Sequence, residues 1–181
     1  MNRFTPLVAA LAFMLGVAHA ADFELTSKAV APGANIHAEN YWNNFGCTGG
    51  NVMPDLAWRN APVGTKSFAV TLYDKDAPTG SGFWHWVVYN IPATTGELPG
   101  GANGGPLPAG ALEGNTDLGK PGFFGPCPPV GRKHHYMYSV HALKVDKLPV
   151  DASASPALVG FYLWQTTIAK ATLTVVAGPR K

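Results

Sequence analysis

Three apolar runs end or begin in polar side chains that could do chemistry. Asp74 and Asp76 follow the run from Ser67, His85 lies inside the run from Phe83, and His134 and Tyr136 open a third. Side chains alternate along a strand, so His134 and Tyr136 share a face while His135 takes the other. A carboxylate with two imidazoles in a partly desolvated pocket can bind an oxyanion through imidazole N–H donors. Asp74 would then orient an imidazole or meet a ligand ammonium. Two His and a carboxylate also make a zinc set, but no H-E-x-x-H or related spacing occurs. No G-x-S-x-G or other nucleophile motif occurs either. A hydrolase using the His85/Asp74/His134 cluster therefore lacks an activated nucleophile. The leading expectation is a non-enzymatic binding protein with no metal and no cofactor. Taken singly, each residue has a plainer role. His85 and Tyr136 would be core residues, the two aspartates turn caps, and His37 and His141 structural or surface residues.

The chain around these residues has 181 residues, 13 Lys+Arg and 11 Asp+Glu, and a formal charge of +2. Only 13% of residues are charged, against about 25% in average globular chains. With 46% hydrophobic residues it can build a core, which excludes intrinsic disorder. No basic run marks a nucleic-acid footprint. Two cysteines exclude a disulfide-dense scaffold and a four-thiolate zinc site. The 21 Gly, 16 Pro and 11% aromatics imply short strands joined by many turns.

Met1-Asn2-Arg3, an apolar stretch from Phe4 to Val17, and Ala18-His19-Ala20 have the layout of a secretory signal peptide cleaved after Ala20. The apolar stretch falls short of the roughly 20 residues that span a bilayer. The expectation is a signal peptide over 1–20, one domain over 21–181, and a periplasmic or secreted protein with no transmembrane segment. In that oxidising space Cys47 and Cys127 are expected to pair, the alternative being two buried thiols. Closing a loop of about 80 residues would stabilise the fold by roughly 4–5 kcal/mol on the chain-entropy account.

The elements that must position the polar residues follow from periodicity. Phe23–Ser27 is a weak strand. Ser67–Asp74 is a strand with Phe68, Val70 and Leu72 on one face and Ala69, Thr71 and Tyr73 on the other. Phe83–Ile91 is apolar on both faces, a doubly covered strand, with His85 beside Phe83, Val87, Tyr89 and Ile91. His135–Val145 is a third strand. Ser155-Pro156 caps a helix whose apolar side is Leu158, Phe161, Tyr162 and Ile168, interrupted by Gln165. Ala171–Val176 is a final strand. Ala93–Phe123, with 9 Gly and 4 Pro in 31 residues, reads as ordered irregular structure and a natural contact surface.

Two stretches then carry a resemblance. Tyr73-Asp74-Lys75-Asp76-Ala77-Pro78-Thr79-Gly80 with Phe83-Trp84-His85-Trp86-Val87-Val88-Tyr89-Asn90-Ile91-Pro92 resembles the first signature of the phosphatidylethanolamine-binding protein family. Gly125-Pro126-Cys127-Pro128-Pro129 with His134-His135-Tyr136 resembles the second. The similarity extends over nearly the whole of 21–181 and is nearest the bacterial, exported, Raf-kinase-inhibitor-like branch. It implies antiparallel β-sheets packed as a sandwich with peripheral helices. It implies a surface pocket for a small phosphate-like anion or phospholipid headgroup, formed by Asp74, Pro78, Trp84, His85, His134 and Tyr136, with Cys127 on its wall. It implies a cis Ala77–Pro78 bond and makes a homodimer an expectation; a kinase or protease inhibitor acting on a protein partner through contacts of the 93–123 loop is a separate alternative. Two positions depart from the family pattern: Lys75 stands where Pro is usual, and Cys127 replaces a small residue. Cytoplasmic kinase regulation does not transfer simply to an exported chain.

Overall fold

The computed structural model describes residues 21–180; the expected leader over 1–20 lies outside the described residues. Ten strands and one α-helix follow in order: β1 (Glu24–Thr26), β2 (Val52–Met53), β3 (Leu56–Arg59), β4 (Ser67–Asp74), β5 (Phe83–Pro92), β6 (Glu97–Leu98), β7 (Gly101–Ala102), β8 (Leu112–Glu113), β9 (His134–Leu143), α1 (Pro156–Thr166) and β10 (Thr167–Ala177). The main sheet is antiparallel in the order β10-β9-β4-β5-β8. A smaller sheet, β1-β3-β6, lies against one face of it, and β2 pairs with β7.

Both faces of the main sheet are covered, which is why β4 and β5 read as apolar on both sides. Phe68, Val70 and Leu72 of β4 face Leu25, Leu56 and Trp58 of the small sheet. Ala69 faces Val159 and Leu163 of α1, with Val87, Tyr89 and Leu143 around it. Trp86 and Tyr138 are wholly buried on the first face. Side chains of this size each contribute about 1.5–3 kcal/mol by leaving water.

Strand β5 departs from simple alternation. Leu72 lies opposite Trp86, but the next residue, Tyr73, lies opposite Trp84, so His85 is one extra residue in the ladder. A second irregularity falls near Asn90, whose φ is +59°. The expected single face of Phe83, His85, Val87, Tyr89 and Ile91 is therefore broken. Trp86, Val88 and Ile91 join the small-sheet core, whereas Val87 and Tyr89 face α1.

The helix starts where expected: the Ser155 hydroxyl accepts the Leu158 N–H and Pro156 occupies the first turn. Its expected buried side is overturned. Val159 and Leu163, four apart, dock on the sheet, while Leu158, Phe161 and Trp164 are exposed. The helix also stops sooner, because Thr167 and Ile168 already belong to β10. Such β-branched residues suit a strand, and β10 pairs along the whole of β9.

The long segment 93–123 is tied down by three short strands and by Asn51. The buried Asn51 amide donates to Asn103 Oδ1 and to the Phe123 carbonyl, both at 2.9 Å, and its Oδ1 accepts the Gly125 N–H at 2.7 Å. These are the ordering contacts that composition could not supply.

Candidate functional site

Central strand β4 has β5 on one side and β9 on the other. In an antiparallel arrangement its last residue meets the first residues of both neighbours. Asp74 thus sits opposite Phe83 in β5 and opposite Tyr136 in β9. The β4–β5 turn is fixed by side chains. Asp74 Oδ1 accepts the Asp76 N–H at 2.9 Å, Tyr73 Oη donates to the Ser81 carbonyl at 2.6 Å, and Thr79 Oγ1 donates to the Gly82 carbonyl. Gly82 has φ +71° and a Cβ there would collide with the Tyr73 hydroxyl. The turn reverses through Gly80 and Gly82, both at positive φ, and Ala77–Pro78 is not cis, against expectation. The cis bond among the described residues is Gly178–Pro179.

His134 Nδ1 lies 2.7 Å from Asp74 Oδ2, with side-chain exposures of only 6% and 4%. A carboxylate cannot donate here, so the proton on this contact belongs to Nδ1 and Nε2 is the ring's other face. The Tyr136 hydroxyl, wholly buried, accepts the Cys127 N–H at 3.2 Å and lies beside Asp74. Burial and the Asp74 charge push its ionisation far above the ordinary range, so it stays a neutral phenol. Asp74 is occupied by His134 and the Asp76 N–H, and its role is to orient the imidazole.

The register slip in β5 turns His85 toward this group. His85 Nδ1 is 2.9 Å from the Phe124 carbonyl, and the Phe124 N–H returns a bond to the His85 carbonyl at 3.2 Å. A carbonyl only accepts, so Nδ1 carries the proton, and the neutral ring keeps its lone pair on Nε2. Burial, with a smaller push from His134, lowers the His85 pKa to about 4 against the opposing bond to Phe124 and the Asp74 charge. The expectation that both imidazoles act as N–H donors is corrected at His85, where the Phe124 contact leaves Nε2 of the neutral ring an acceptor.

Asp74, His85 and His134 form the polar floor of a cavity of about 160 Å³. Water's share of liquid volume is about 30 Å³, so the space suits a group of a few heavy atoms. Pro78, Pro129 and Cys127 line its sides, and Trp42, Phe45, Phe83 and Leu118 make an apolar rim. Phe45 is 69% exposed at φ +54° and stacks on Trp42 with ring centroids 4.9 Å apart. The Cys47–Cys127 disulfide, closing 80 residues, joins the Phe45 loop to the cavity wall. Arg180 straps the same loops, donating from Nε to the Pro128 carbonyl at 2.6 Å and from Nη1 to the Gly46 carbonyl at 2.7 Å. Outside lies a groove of about 560 Å³ that shares Pro78, Pro129 and His134 with the cavity and is lined by Arg132, Lys133, His135 and Asp76. Among the described residues no group of three or more His, Cys, Asp or Glu could hold a metal ion.

Of the residues expected at the site, Asp74, Pro78, His85, Cys127 and His134 line the cavity. Trp84 and Tyr136 do not. Trp84 alternates away from Phe83 and packs against Tyr73, 4.8 Å between centroids, beside Gly160 of α1; Phe83 takes the wall position instead. Tyr136 stands behind the floor beside Asp74 and holds the Cys127 backbone. Trp42, Phe45 and Leu118 were not expected. The sequence did carry one pointer to Phe45, two residues from a cysteine paired to the wall.

The family model for phosphatidylethanolamine-binding proteins matches residues 26–178. The chain belongs to this family. It is 51% identical over 170 residues to the UPF0098 protein YbcL of Escherichia coli, covering 92% of this chain and 93% of that one. It is 45% identical to YbhB of the same organism, over 84% of this chain and 98% of that one. The crystal structure of YbcL superposes with a TM-score of 0.83 at 50% identity, covering 87% of this chain and 98% of that one. The mainly-β antiparallel fold is thus shared. A mycobacterial relative, LppC, 35% identical over 74% of this chain, is named as a lipoprotein. That name and the disulfide both point to an exported protein. No helix among the described residues is long and apolar enough to cross a membrane.

Proposed function

We propose that the protein is a non-enzymatic binder of small phosphate-like anions, free or as a phospholipid headgroup. We further propose that it works in the periplasm or outside the cell after cleavage behind Ala20. The observation that carries this reading is the buried His134–Asp74 pair lining the cavity. Asp74 fixes the His134 ring by its Nδ1–H, leaving Nε2 to face a ligand. When His134 takes a second proton, the pair is neutral and an entering oxyanion receives a charge-assisted N–H bond. Arg132 and Lys133 at the mouth have no carboxylate within salt-bridge distance among the described residues, and their field draws anions toward the cavity. The apolar rim of Trp42, Phe45 and Phe83 suits the organic part of such a ligand.

Titration calorimetry with inorganic phosphate and with phosphoethanolamine tests the reading. Heat of binding at millimolar ligand that disappears in His134→Ala is expected; a folded protein that binds neither ligand overturns it.

The hydrolase reading is disfavoured by the hydroxyls and thiols around the cavity. Cys127 is oxidised, Tyr136 is locked as a neutral phenol, and the Thr79 hydroxyl is spent on Gly82. For a homodimer, the exposed Leu158, Phe161 and Trp164 of α1 are the surface to examine, and sedimentation of Trp164→Lys beside the parent tests it. A partner protein, if one is modulated, would meet segment 93–123, tested by exchange of that segment.

A further inference from the structure

We propose that the cavity selects an oxyanion that still carries a proton, so that phosphate monoester monoanions bind and sulfate esters of the same charge and shape do not. The inference rests on the anion-binding reading above and narrows it to one ligand chemistry.

The argument starts from what each ring can offer. His134 turns Nε2 to the cavity behind an Nδ1–H held by Asp74. His85 turns Nε2 to the cavity behind an Nδ1–H held by the Phe124 carbonyl. The second contacts differ in kind. A carboxylate beside His134 supports the imidazolium, which makes Nε2 a donor. A neutral carbonyl beside His85 supports only the neutral ring, whose Nε2 is an acceptor. His85 Nε2 has no hydrogen-bond partner among the described residues, and it is not among their fully buried unpartnered atoms, so it retains access to the cavity. The charged and titratable groups that face His85 are Asp74 from β4 and His134 and Tyr136 from β9. Asp74 is committed to His134, and the neutral Tyr136 ring meets His85 edge-on at 5.3 Å between centroids. The Asp74 charge favours a proton on His85, but burial outweighs it and the ring stays neutral.

The cavity lining therefore presents one acceptor and one donor. A fully deprotonated oxyanion would set an oxygen lone pair against the His85 lone pair, leaving a buried acceptor unpaired. A monoprotonated phosphate answers both groups: its P–OH donates to His85 Nε2 and a P–O⁻ oxygen accepts from His134 Nε2–H. Phosphate monoesters lose the second proton near pH 6, so the monoanion is abundant at and below that pH. Sulfate monoesters carry no such proton.

The test uses methyl phosphate and methyl sulfate, both monoanions at pH 5 and alike in shape, titrated calorimetrically into the disulfide-intact protein. Methyl phosphate is expected to bind at least about tenfold more tightly, from the cost of one unpaired buried acceptor. Equal affinities, or tighter binding of methyl sulfate, overturn the selectivity and leave the anion-binding reading standing. Binding of neither overturns both. Nitrogen NMR of the unmodified protein at pH 5 gives a second readout that needs no variant. The Nδ1–H tautomer of His85, with an Nε2 resonance that moves on adding methyl phosphate, is expected; an Nε2–H tautomer overturns the proposal.

Discussion

Two imidazole–carboxylate pairs sit side by side in this molecule and differ in almost nothing but their surroundings. His134 meets Asp74 at 2.7 Å, and His135 meets Asp76 at 2.6 Å. His134 and His135 are neighbours in β9, where strand alternation sends one ring inward and the other outward, and Asp76 follows Asp74 in the turn beyond β4. Side-chain exposures are 6% and 4% for the first pair but 43% and 33% for the second. In the outer pair, partial burial would raise the Asp76 pKa, but the side-chain and backbone bonds from His135 hold it below the ordinary value. Water and salt can replace much of that contact, and exposed pairs are typically worth 0–1 kcal/mol. In the inner pair, removing one partner strands the other away from water, at about 3–5 kcal/mol. The same chemistry is a surface latch in one place and the floor of a binding cavity in the other.

The widest gap between the pairs should open on Asp74→Ala. His134 and the Asp76 N–H both lose a partner, so the loss should be about 3–5 kcal/mol in denaturant melts, with phosphate binding abolished. A variant that melts like the parent would break the distinction. Reducing the Cys47–Cys127 disulfide comes next, since it holds the wall that keeps the inner pair dry. The expected cost is about 4–5 kcal/mol for a loop of this length, with weaker phosphate binding. Unchanged binding after reduction would show that the wall stands without it.

Acidification should act first on buried rings whose pKa values burial lowers. His85 and His141 both have lowered pKa values, to about 4 and about 3, chiefly through burial. The unfolded rings take up protons near pH 6.5 and the folded rings refuse them. Their contribution is therefore complete above pH 6.5 and is lost as pH falls toward 4 and below, at about 1.4 kcal/mol for each unit of displacement. His141 lies against α1 and bonds Thr167 Oγ1, away from the cavity. His141→Gln should flatten part of the acid slope and leave ligand binding intact. A slope unchanged in that variant would contradict the assignment.

Alternation made the two strands and the split between His134 and His135 legible in the sequence, because it depends only on neighbours. The register slip was not legible, since it depends on which residue of β4 lies opposite. His85 faces the site because of that slip, so its placement beside Phe83 was foreseen while the rest of its face was not. Trp84 shows the converse. The family pattern named it for the pocket, yet in a strand a residue between Phe83 and His85 must point elsewhere. The helix face was misread because apolar content alone cannot say which stripe meets the sheet; Val159 and Leu163 are smaller than Phe161 and Trp164 and fit closer to it. The polarity of His85 Nε2 was beyond reach too, being set by the carbonyl of a residue 39 positions away.

The smallest expected effect belongs to Asp76→Asn, and it is the sharpest control for the comparison. The variant keeps the size of the side chain and an acceptor for the His135 N–H, now bonded at 2.7 Å. It removes the charge that His135 Nδ1 meets, in a place water already reaches. Stability should change by less than about 1 kcal/mol. Removing a negative charge from the groove shared with Arg132 and Lys133 should raise phosphate affinity slightly, and the gain should fade with added salt, because exposed charges are screened over roughly 8–10 Å. Calorimetry at two ionic strengths measures both effects. Loss of phosphate binding in Asp76→Asn, matching that in Asp74→Ala, would mean that burial is not what separates the two pairs and that the outer pair belongs to the site.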